Sequence, residues 1–278
     1  MTDASELARS SSKTRITGAL RDSLGSMADA AVLLVALDFD GTLAPTVDDP
    51  ELARALPEAR AAVERLVALP DTRVAFVSGR ALDSLEKVSA ATDDTLLVGS
   101  HGVEVRLDSP DDVFTLDEEE QARLGLLGDV LDQVADNLDE VWIEQKPAGF
   151  ALHTRLATER NSRVAHLVAL SEARAEVDDL TVRKGKDVLE FSVRSTTKGE
   201  AVEHLRRYTG ATAVFYAGDD VTDEDAFAAL GSTDLALKIG EGATVADHRV
   251  DGPEDAAHVL TLLADLRESS GSVPPPSN

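Results

Sequence analysis

The sequence contains no cysteine among its 278 residues. Disulfide bonds and thiolate metal ligands are therefore excluded, which fits a reducing compartment. The first eighteen residues have no apolar core of signal-peptide length, and the longest unbroken apolar run, residues 30–37, is far too short to cross a bilayer. We therefore expect a cytoplasmic protein that does not act in a membrane.

Positive charge is scarce. The chain has 27 basic and 52 acidic residues, which give a formal net charge of −25. A field of that sign repels nucleic acid and anionic lipid, so we expect neither as a partner. It would also repel a small phosphorylated substrate, whose site would need local cations from lysine, arginine or a divalent metal. The sequence also lacks glycine-rich loops of the dinucleotide or P-loop type, which argues against the common nucleotide-binding functions.

Aliphatic strands alternate with amphipathic helices along much of the sequence. The strand-like segments of this pattern are residues 32–38, 73–78, 95–99, 213–219 and 234–240. Continuous aliphatic strands separated by helices indicate a parallel sheet that is covered on both faces. We therefore predict an α/β fold with a doubly wound, Rossmann-like core.

The pattern changes between the third and fourth of these strands. A long helical stretch begins at Asp117, and two adjacent strand-like segments at 140–146 and 149–155 are joined by a short turn. Such neighbours predict a smaller α+β cap domain that is inserted into the core. The predicted organisation is a flexible segment at 1–28, a discontinuous core at 29–107 and 194–268, a cap at 108–193 and a disordered tail at 269–278.

Polar side chains end several of the predicted core strands. Asp38 ends the first strand, Ser78 the second, and Asp219 and Asp220 the strand that follows the insertion. The carboxyl ends of such strands form the usual site of a doubly wound sheet, so these residues should converge there. Lys198 begins the helix that directly follows the insertion, at an amino terminus where the helix dipole disfavours a cation. An anion that this lysine must bind explains its position better.

These residue types are the ones that phosphoryl transfer through an aspartyl-phosphate requires. Asp38 should attack phosphorus. Asp40, two residues further and on the same face if the strand pleat continues, should act as the acid and base. Mg²⁺ prefers oxygen ligands and would neutralise the phosphate charge. Thr42 and Ser78 would hold phosphate oxygens, and Gly41 would let the backbone come close.

The motifs resemble those of the haloacid dehalogenase-like phosphatases. The matching segments are DFDGT at 38–42, VSGR at 77–80, TTKGEA at 196–201 and GDDVTDEDAF at 218–227. The last of these, together with segments of the cap, is similar to trehalose-6-phosphate phosphatases in particular, because GDDxTDEDxF is narrower than the superfamily pattern. The resemblance covers roughly residues 30–268 and implies a Mg²⁺-dependent phosphatase of trehalose 6-phosphate. We expect such an enzyme to be a monomer.

The resemblance also implies which residues hold the metal and the substrate. The metal would be held by the Asp38 carboxylate, the main-chain carbonyl of Asp40 and the Asp219 carboxylate, while Asp220 and Asp223 would order its waters. Substrate contacts are implied for Thr42, Gly79, Arg80, His101, Gly102, Glu104, Lys146, His153, Arg155, Lys186 and Glu190. Hinges between core and cap are expected near 106–109 and 194–197.

Several of these residues have a purely structural alternative. Asp223 could simply stabilise a helix amino terminus after an N-cap at Thr222. Arg80 could pair with a surface acid, His101 and His153 could be satisfied sheet residues, and Lys186 and Glu190 could form a surface ion pair. Trp142 and Phe150 are predicted to belong to the core of the cap rather than to a sugar platform.

Two functional alternatives also stay open. The core motifs do not select the sugar, so the substrate could be another sugar phosphate, such as sucrose phosphate or glucosylglycerol phosphate. A phospho-accepting signalling domain or a catalytically silent sugar-binding protein would also carry acids and a lysine around one aspartate. Asp40 argues against a signalling domain, because a long-lived phospho-aspartate should lack a base two residues away, and a receiver carries no large cap.

Overall fold

The computed structural model describes residues 16–108, 116–194 and 196–270. By its internal contacts the chain divides into two compact units, residues 1–75 with 204–278 and residues 76–203. The second unit is therefore larger than the predicted cap at 108–193, whose boundaries stay a prediction. Within the described residues, no helix is both long enough and apolar enough to cross a membrane.

The described residues form eleven strands and eight α-helices. The strands are β1 (Leu33–Leu37), β2 (Thr72–Val77), β3 (Leu96–Gly99), β4 (Glu104–Arg106), β5 (Trp142–Lys146), β6 (Gly149–His153), β7 (Thr181–Gly185), β8 (Val188–Ser192), β9 (Ala213–Gly218), β10 (Leu235–Ile239) and β11 (His248–Val250). The helices are α1 (Gly18–Ala28), α2 (Pro57–Ala68), α3 (Leu82–Ser89), α4 (Glu118–Asp136), α5 (Glu159–Glu176), α6 (Lys198–Thr209), α7 (Asp223–Ala229) and α8 (Pro253–Ser270).

The sheet of the first unit includes four strands in the order β11-β10-β9-β1. In the first unit, β11, β10, β9 and β1 pair in parallel, with Leu37 beside Ala217 and Lys238 beside Gly218. Every residue of β1, β9 and β10 is buried, as expected for strands that are covered on both faces. The predicted α/β fold with a parallel core sheet is confirmed.

Helices of the first unit pack through small and aliphatic residues. In α2, which begins with Pro57 at a position where proline suits the helix geometry, the buried residues are Ala59, Ala62, Val63 and Leu66. Helix α8 packs against both α2 and α1. This layer fixes the strands whose carboxyl ends carry Asp38 and Asp219.

The amino-terminal segment differs from the prediction of a flexible stretch at 1–28. Residues 18–28 form α1, which Thr17 caps by accepting a 3.1 Å hydrogen bond from the Leu20 amide. Leu20, Leu24 and Met27 lie at helical spacing and are buried. The prediction was wrong for residues 18–28, because the short apolar stripe of α1 packs against α8. Residues 1–15 lie outside the described part of the chain.

The carboxyl-terminal helix also runs further than the sequence predicted. Helix α8 continues to Ser270, so residues 269–270 of the predicted tail are helical. The Ser270 hydroxyl donates a 2.9 Å hydrogen bond to Asp29 Oδ1. Residues 271–278 of the predicted tail lie outside the described part, as do the hinge positions 109 and 195.

The second unit contains the antiparallel pair β3–β4 and a four-stranded antiparallel sheet in the order β5-β6-β8-β7. The predicted hairpin is confirmed as β5 and β6, joined at Pro147 and Ala148. Helices α4 and α5 bury one face of this sheet, where Phe150, Leu152 and Phe191 form the core with Leu131. The opposite face, which carries Glu144, Lys146, Arg183 and Glu190, is not covered by these helices.

Trp142 lies on the polar face of this sheet and not in the core. It pairs across the strands with His153, and the two rings stack with centroids 5.1 Å apart. Arg155 lies over the same indole ring, 5.5 Å from its centroid. The prediction for Phe150 therefore agrees with the structure, whereas the prediction for Trp142 was wrong. Strand alternation explains this, since Trp142 is an even number of residues from the outward-facing Glu144 and Lys146.

Candidate active site

Three carboxylates meet at the carboxyl ends of β1 and β9 in the first unit. Asp38 follows the last residue of β1, Asp219 follows the last residue of β9, and Asp223 begins α7. One oxygen from each of the three lies within 4.8 Å of the others. Two of the three residues are buried, Asp223 completely and Asp38 to 5% exposure. The parallel pairing of β1 with β9 is what brings together residues that are 181 positions apart.

Two glycines make room for these carboxylates. A Cβ atom on Gly41, whose φ is +78°, would lie 2.1 Å from Asp219 Oδ2. A Cβ atom on Gly218 would lie 2.2 Å from the Asp223 Cγ atom. Any larger residue at either position would displace a carboxylate. Gly41 thus allows the close approach of the chain that the motif predicted, but toward a carboxylate of the same site.

Hydrogen bonds fix the orientation of Asp223. Its Oδ1 atom accepts a 2.7 Å bond from the Tyr216 hydroxyl, and its Oδ2 atom accepts a 2.8 Å bond from the Asp220 amide. Burial and the negative charges of Asp223 and Asp38 raise the pKa of Tyr216 well above its usual value, so the phenol stays protonated and acts as the donor. Thr42 donates a 3.3 Å bond to Asp219 Oδ1.

The carboxylate cluster fits a hard divalent cation. Carboxylates this close repel one another, and burial increases the repulsion, so the charged forms need a compensating positive charge. Every donor atom in the cluster is a carboxylate oxygen, which is the ligand type that Mg²⁺ and Ca²⁺ prefer. The residues present are therefore suited to hold Mg²⁺.

Asp40 and Asp220 lie beside this cluster in different settings. Strand β1 ends at Leu37, and residues 39–44 form a tight loop in which the Gly41 amide donates to the Ala44 carbonyl at 2.7 Å. The pleat on which a common face for Asp38 and Asp40 was predicted therefore does not continue through Asp40. Asp220 is exposed, and its carboxylate accepts a 2.7 Å bond from the Val221 amide. The roles of both residues stay predictions.

In the second unit, the segment after β2 is joined to the turn after β3 by main-chain hydrogen bonds. The carbonyls of Ser78 and Arg80 accept bonds from the amides of His101 and Ser100, at 3.0 and 2.7 Å. Ser100, His101 and Gly102 all have positive φ values, of 48°, 57° and 109°. A Cβ atom on Gly79 would lie 2.6 Å from the His101 ring. The His101 ring therefore lies so close to Gly79 that a side chain at position 79 would displace it.

Ser78 and Lys198 are both buried, each to 2% exposure, and Lys198 begins α6 as predicted. Ser78 Oγ accepts a 3.2 Å bond from the Arg80 amide. The Arg80 guanidinium donates a 3.2 Å bond to Ser84 Oγ. Arg80 thus has a hydrogen-bond partner on α3, the helix that follows it, and the sequence alternatives for it stay open.

A pocket of the second unit lies between the His101 turn and the polar face of the cap sheet. Its lining residues are Gly79, Ser100, His101, Val103, Lys146, Ala148, Gly149, Phe150, Arg183, Glu190, Phe191 and Ser192. Four of the predicted substrate residues are among them: Gly79, His101, Lys146 and Glu190. The structure thus brings these four around one cavity.

Seven of the eleven predicted substrate residues are not among the described residues that line this pocket, and three of the seven, His153, Arg155 and Lys186, lie elsewhere in the second unit. His153 lies at the other end of β6 from Gly149, roughly 13 Å away at the usual rise per residue. Its Nε2 atom is 2.8 Å from Glu144 Oε2. Arg155 lies over Trp142, and Lys186 is exposed in the turn between β7 and β8. Their substrate roles stay predictions.

Glu104 and Gly102 have clear structural functions. Glu104 Oε2 accepts a 3.1 Å bond from the Leu82 amide at the start of α3, and it also accepts a bond from the Ser100 hydroxyl. A Cβ atom on Gly102 would lie 3.3 Å from the Thr196 side chain and from the Thr197 carbonyl. Their contacts with a sugar stay predictions.

Comparison with known proteins places the chain in a family. A family model described as trehalose-phosphatase matches residues 36–256, which includes both Asp38 and the segment 218–227. The chain belongs to the trehalose-phosphatase family.

Relatives of this family member include the trehalose-phosphate phosphatase of Mycobacterium avium, which is 36% identical over 251 residues. The match covers 84% of this chain and 62% of that relative, so the chain spans about three fifths of its length. A bifunctional trehalose-6-phosphate synthase/phosphatase of Thermoproteus tenax is 33% identical over 238 residues, with 84% of this chain and 32% of the relative covered.

Solved structures share the fold of this family member. The C-terminal domain of trehalose-6-phosphate phosphatase from C. albicans has a TM-score of 0.69 at 23% identity, with 89% of this chain and 97% of that chain covered. Trehalose-6-phosphate phosphatase from Aspergillus fumigatus has a TM-score of 0.67 at 24% identity, with 88% and 97% covered. At such identities the likeness supports the fold alone.

Sequence reasoning missed three residues of this trehalose-phosphatase family member. Arg183 lines the pocket and lies opposite Glu190 across the strands, a pairing that only the strand register reveals. Tyr216 and Lys238 are buried in β9 and β10, where they interrupt aliphatic runs. The interruption itself was the available signal, because a buried phenol or amine needs a polar partner.

Proposed function

We propose that this protein hydrolyses trehalose 6-phosphate to trehalose and inorganic phosphate, as a step of trehalose biosynthesis in the cytoplasm. Membership of the trehalose-phosphatase family supports the substrate. The observation that carries the proposal is the cluster of Asp38, Asp219 and Asp223 at the carboxyl ends of two parallel strands. We expect the enzyme to act as a monomer on this small sugar phosphate.

Mg²⁺ is the proposed cofactor. The Asp38 and Asp219 carboxylates and the Asp40 carbonyl would hold it, while Asp220 and Asp223 would order its waters. Both oxygens of Asp223 already accept hydrogen bonds from protein groups, which supports an indirect role for this residue. When bound, the ion supplies positive charge that offsets the charge of the phosphoryl group.

The reaction proceeds in two steps on the residues of this chain. An oxygen of Asp38 attacks phosphorus, the bond from phosphorus to the sugar oxygen breaks, and Asp40 gives that oxygen a proton. Asp40 then takes a proton from a water molecule, whose oxygen attacks phosphorus and breaks the bond to Asp38. Phosphate leaves, and both carboxylates return to their starting states.

The pocket of the second unit is the proposed binding site for the sugar. Lys146 and Arg183 offer donors, and Glu190 offers an acceptor, which suits an array of hydroxyl groups. Phosphate-binding roles for Thr42, Ser78 and Lys198 are proposed from their residue types and positions in the sequence, and the family resemblance supports them. Substrate contacts of Arg80, His153, Arg155 and Lys186 are proposed from the family resemblance.

The test is phosphate release from trehalose 6-phosphate, sucrose 6-phosphate and glucosylglycerol phosphate, each with Mg²⁺ or with EDTA. We expect the highest kcat/KM with trehalose 6-phosphate, loss of activity in EDTA and loss of activity in Asp38→Asn. A clear preference for another sugar phosphate would change the substrate. Full activity in Asp38→Asn would refute the nucleophile, and failure to release phosphate from any of the three would leave a binding protein as the better explanation.

A further inference from the structure

Lys238 is a buried lysine close to the carboxylate cluster of the first unit. It lies in β10, one residue before the strand ends, and its exposure is only 3%. Lysine is seldom buried to this degree, because an ammonium group loses its hydration there and needs compensating partners. The neighbours of its amine should therefore reveal what the residue does.

The amine of Lys238 reaches the end of the neighbouring strand. Lys238 pairs with Gly218, the last residue of β9, and its Nζ atom donates a hydrogen bond to the main-chain carbonyl of Asp219. Asp219 is one of the three clustered carboxylates. Lys238 thus binds the main chain of a residue whose side chain belongs to the candidate metal site.

The peptide unit between Asp219 and Asp220 is held at both of its polar ends. Its carbonyl accepts from Lys238, and its amide, that of Asp220, donates a 2.8 Å bond to Asp223 Oδ2. A single peptide therefore connects two of the three carboxylates, Asp219 through the chain and Asp223 through a hydrogen bond. If the carbonyl were released, the peptide could rotate and both carboxylates would lose their alignment.

An ion pair with Glu224 is the alternative explanation for this lysine. The distance from Lys238 Nζ to Glu224 Oε1 is 4.0 Å, which is too long for a hydrogen bond. The other oxygen of Glu224 accepts a 2.9 Å bond from the Val245 amide. The direct contact of Lys238 is therefore with the Asp219 carbonyl, and Glu224 contributes through charge.

We infer that Lys238 is a positioning residue for metal binding: it clamps the Asp219–Asp220 peptide and so holds the carboxylates of Asp219 and Asp223 in place for a divalent cation. This inference rests on the Mg²⁺ site proposed above. Partners that orient metal ligands from outside the coordination shell typically change metal affinity by roughly 10- to 100-fold when they are removed.

The test compares Lys238→Met with the control Glu224→Gln, which removes the nearby charge but keeps the bond to the carbonyl. Mg²⁺ is titrated by calorimetry into each protein, and thermal unfolding in EDTA measures the stability of the metal-free fold. We expect Lys238→Met to weaken Mg²⁺ binding by about 10-fold or more, and Glu224→Gln to change it by about two-fold or less. If Lys238→Met does not fold, the double variant Lys238→Met/Glu224→Gln, which leaves no unpaired charge, takes its place.

Each outcome bears on the inference separately from the proposed function. Unchanged or tighter Mg²⁺ binding in Lys238→Met, together with a lower Tm in EDTA, would show a merely structural lysine and overturn the inference. Equal losses of Mg²⁺ affinity in both variants would show that the loss does not depend on the hydrogen bond to the Asp219 carbonyl, and would overturn the inference as well. Absence of Mg²⁺ binding by the wild-type protein would instead refute the metal site itself.

Discussion

Replacing Tyr216 with phenylalanine removes the hydroxyl group that donates a 2.7 Å hydrogen bond to Asp223 Oδ1. Phenylalanine keeps the ring and its edge-to-face contact with Phe227, whose centroid is 5.7 Å away. Asp223 would still accept from the Asp220 amide. The substitution therefore isolates one hydrogen bond to a buried carboxylate, without a cavity of appreciable size.

The expected loss of stability follows from the burial of both partners. Neither Tyr216 nor Asp223 has measurable solvent exposure, so water cannot replace the lost donor. Hydrogen bonds to charged groups contribute roughly 1.5–3 kcal/mol. We therefore expect Tyr216→Phe to lower the free energy of unfolding by about 2 kcal/mol near pH 8.

The same bond makes the stability difference depend on pH. Burial first, and the charge of Asp223 second, raise the pKa of Tyr216 well above its usual value of 10.0. A group with a raised pKa in the folded state stabilises the fold below its unfolded pKa, and this contribution is lost as the pH rises toward the folded pKa. The difference between wild type and Tyr216→Phe should thus shrink above pH 10, by about 0.8 kcal/mol at pH 10.5.

Urea unfolding in EDTA at pH 8 and at pH 10.5 measures both effects. Tyr208→Phe, which changes the other tyrosine of the chain, is the matched control and should lose about 1 kcal/mol or less. Surface substitutions usually change the free energy of unfolding by about 0.5 kcal/mol or less. A decrease smaller than about 0.5 kcal/mol in Tyr216→Phe would therefore refute the claim that this hydrogen bond supports the carboxylate cluster. A stability difference that stays constant between the two pH values would refute the raised pKa.

Two further predictions concern the second unit. Glu120 is buried and accepts two hydrogen bonds from Arg194, one of them a 2.6 Å bond from Nε. Glu120→Gln should therefore lower the free energy of unfolding by about 2 kcal/mol at pH 7. The control Glu159→Gln, which breaks the exposed ion pair with Arg163, should lower it by about 0.5 kcal/mol or less. The hydrogen bond from Arg194 lowers the pKa of Glu120, so this difference should diminish in urea unfolding as the pH falls below about 4.5; a difference that persists at low pH would contradict the ion pair. Arg183 lines the pocket, whereas Lys186 lies in the turn between β7 and β8. Arg183→Met should therefore raise KM for trehalose 6-phosphate by about 10-fold or more, and the control Lys186→Met should raise it by less than about 3-fold. A larger increase in KM for Lys186→Met than for Arg183→Met in steady-state kinetics would contradict the proposed sugar site.

The core of the candidate site was predictable because the carboxyl ends of neighbouring parallel strands lie at the same edge of the sheet. Asp38 and Asp219 each follow a fully buried strand, and the sequence alone indicated that such strands end at one edge of the sheet. The contacts that orient these carboxylates were not predictable in the same way. Tyr216 donates to Asp223 at the start of α7, and Lys238 donates to the Asp219 carbonyl just after β9. The Lys238 contact depends on the pairing of β9 with β10, which leaves no local signal in the sequence.

The cap shows a sharper limit, because strand alternation determines the face of a residue but not its distance from a site. Lys146, Glu190 and His153 all lie on the polar face of the sheet. Lys146 ends β5 next to the turn that leads to Gly149, whereas His153 lies at the opposite end of β6 from Gly149 and pairs with Val188. Which end lines the pocket is decided by how β6 aligns with β8 and by the His101 turn, both of which are contacts between distant segments. Motif similarity therefore indicates which residues lie on the polar face of the cap sheet, whereas the strand register determines which of them line the pocket.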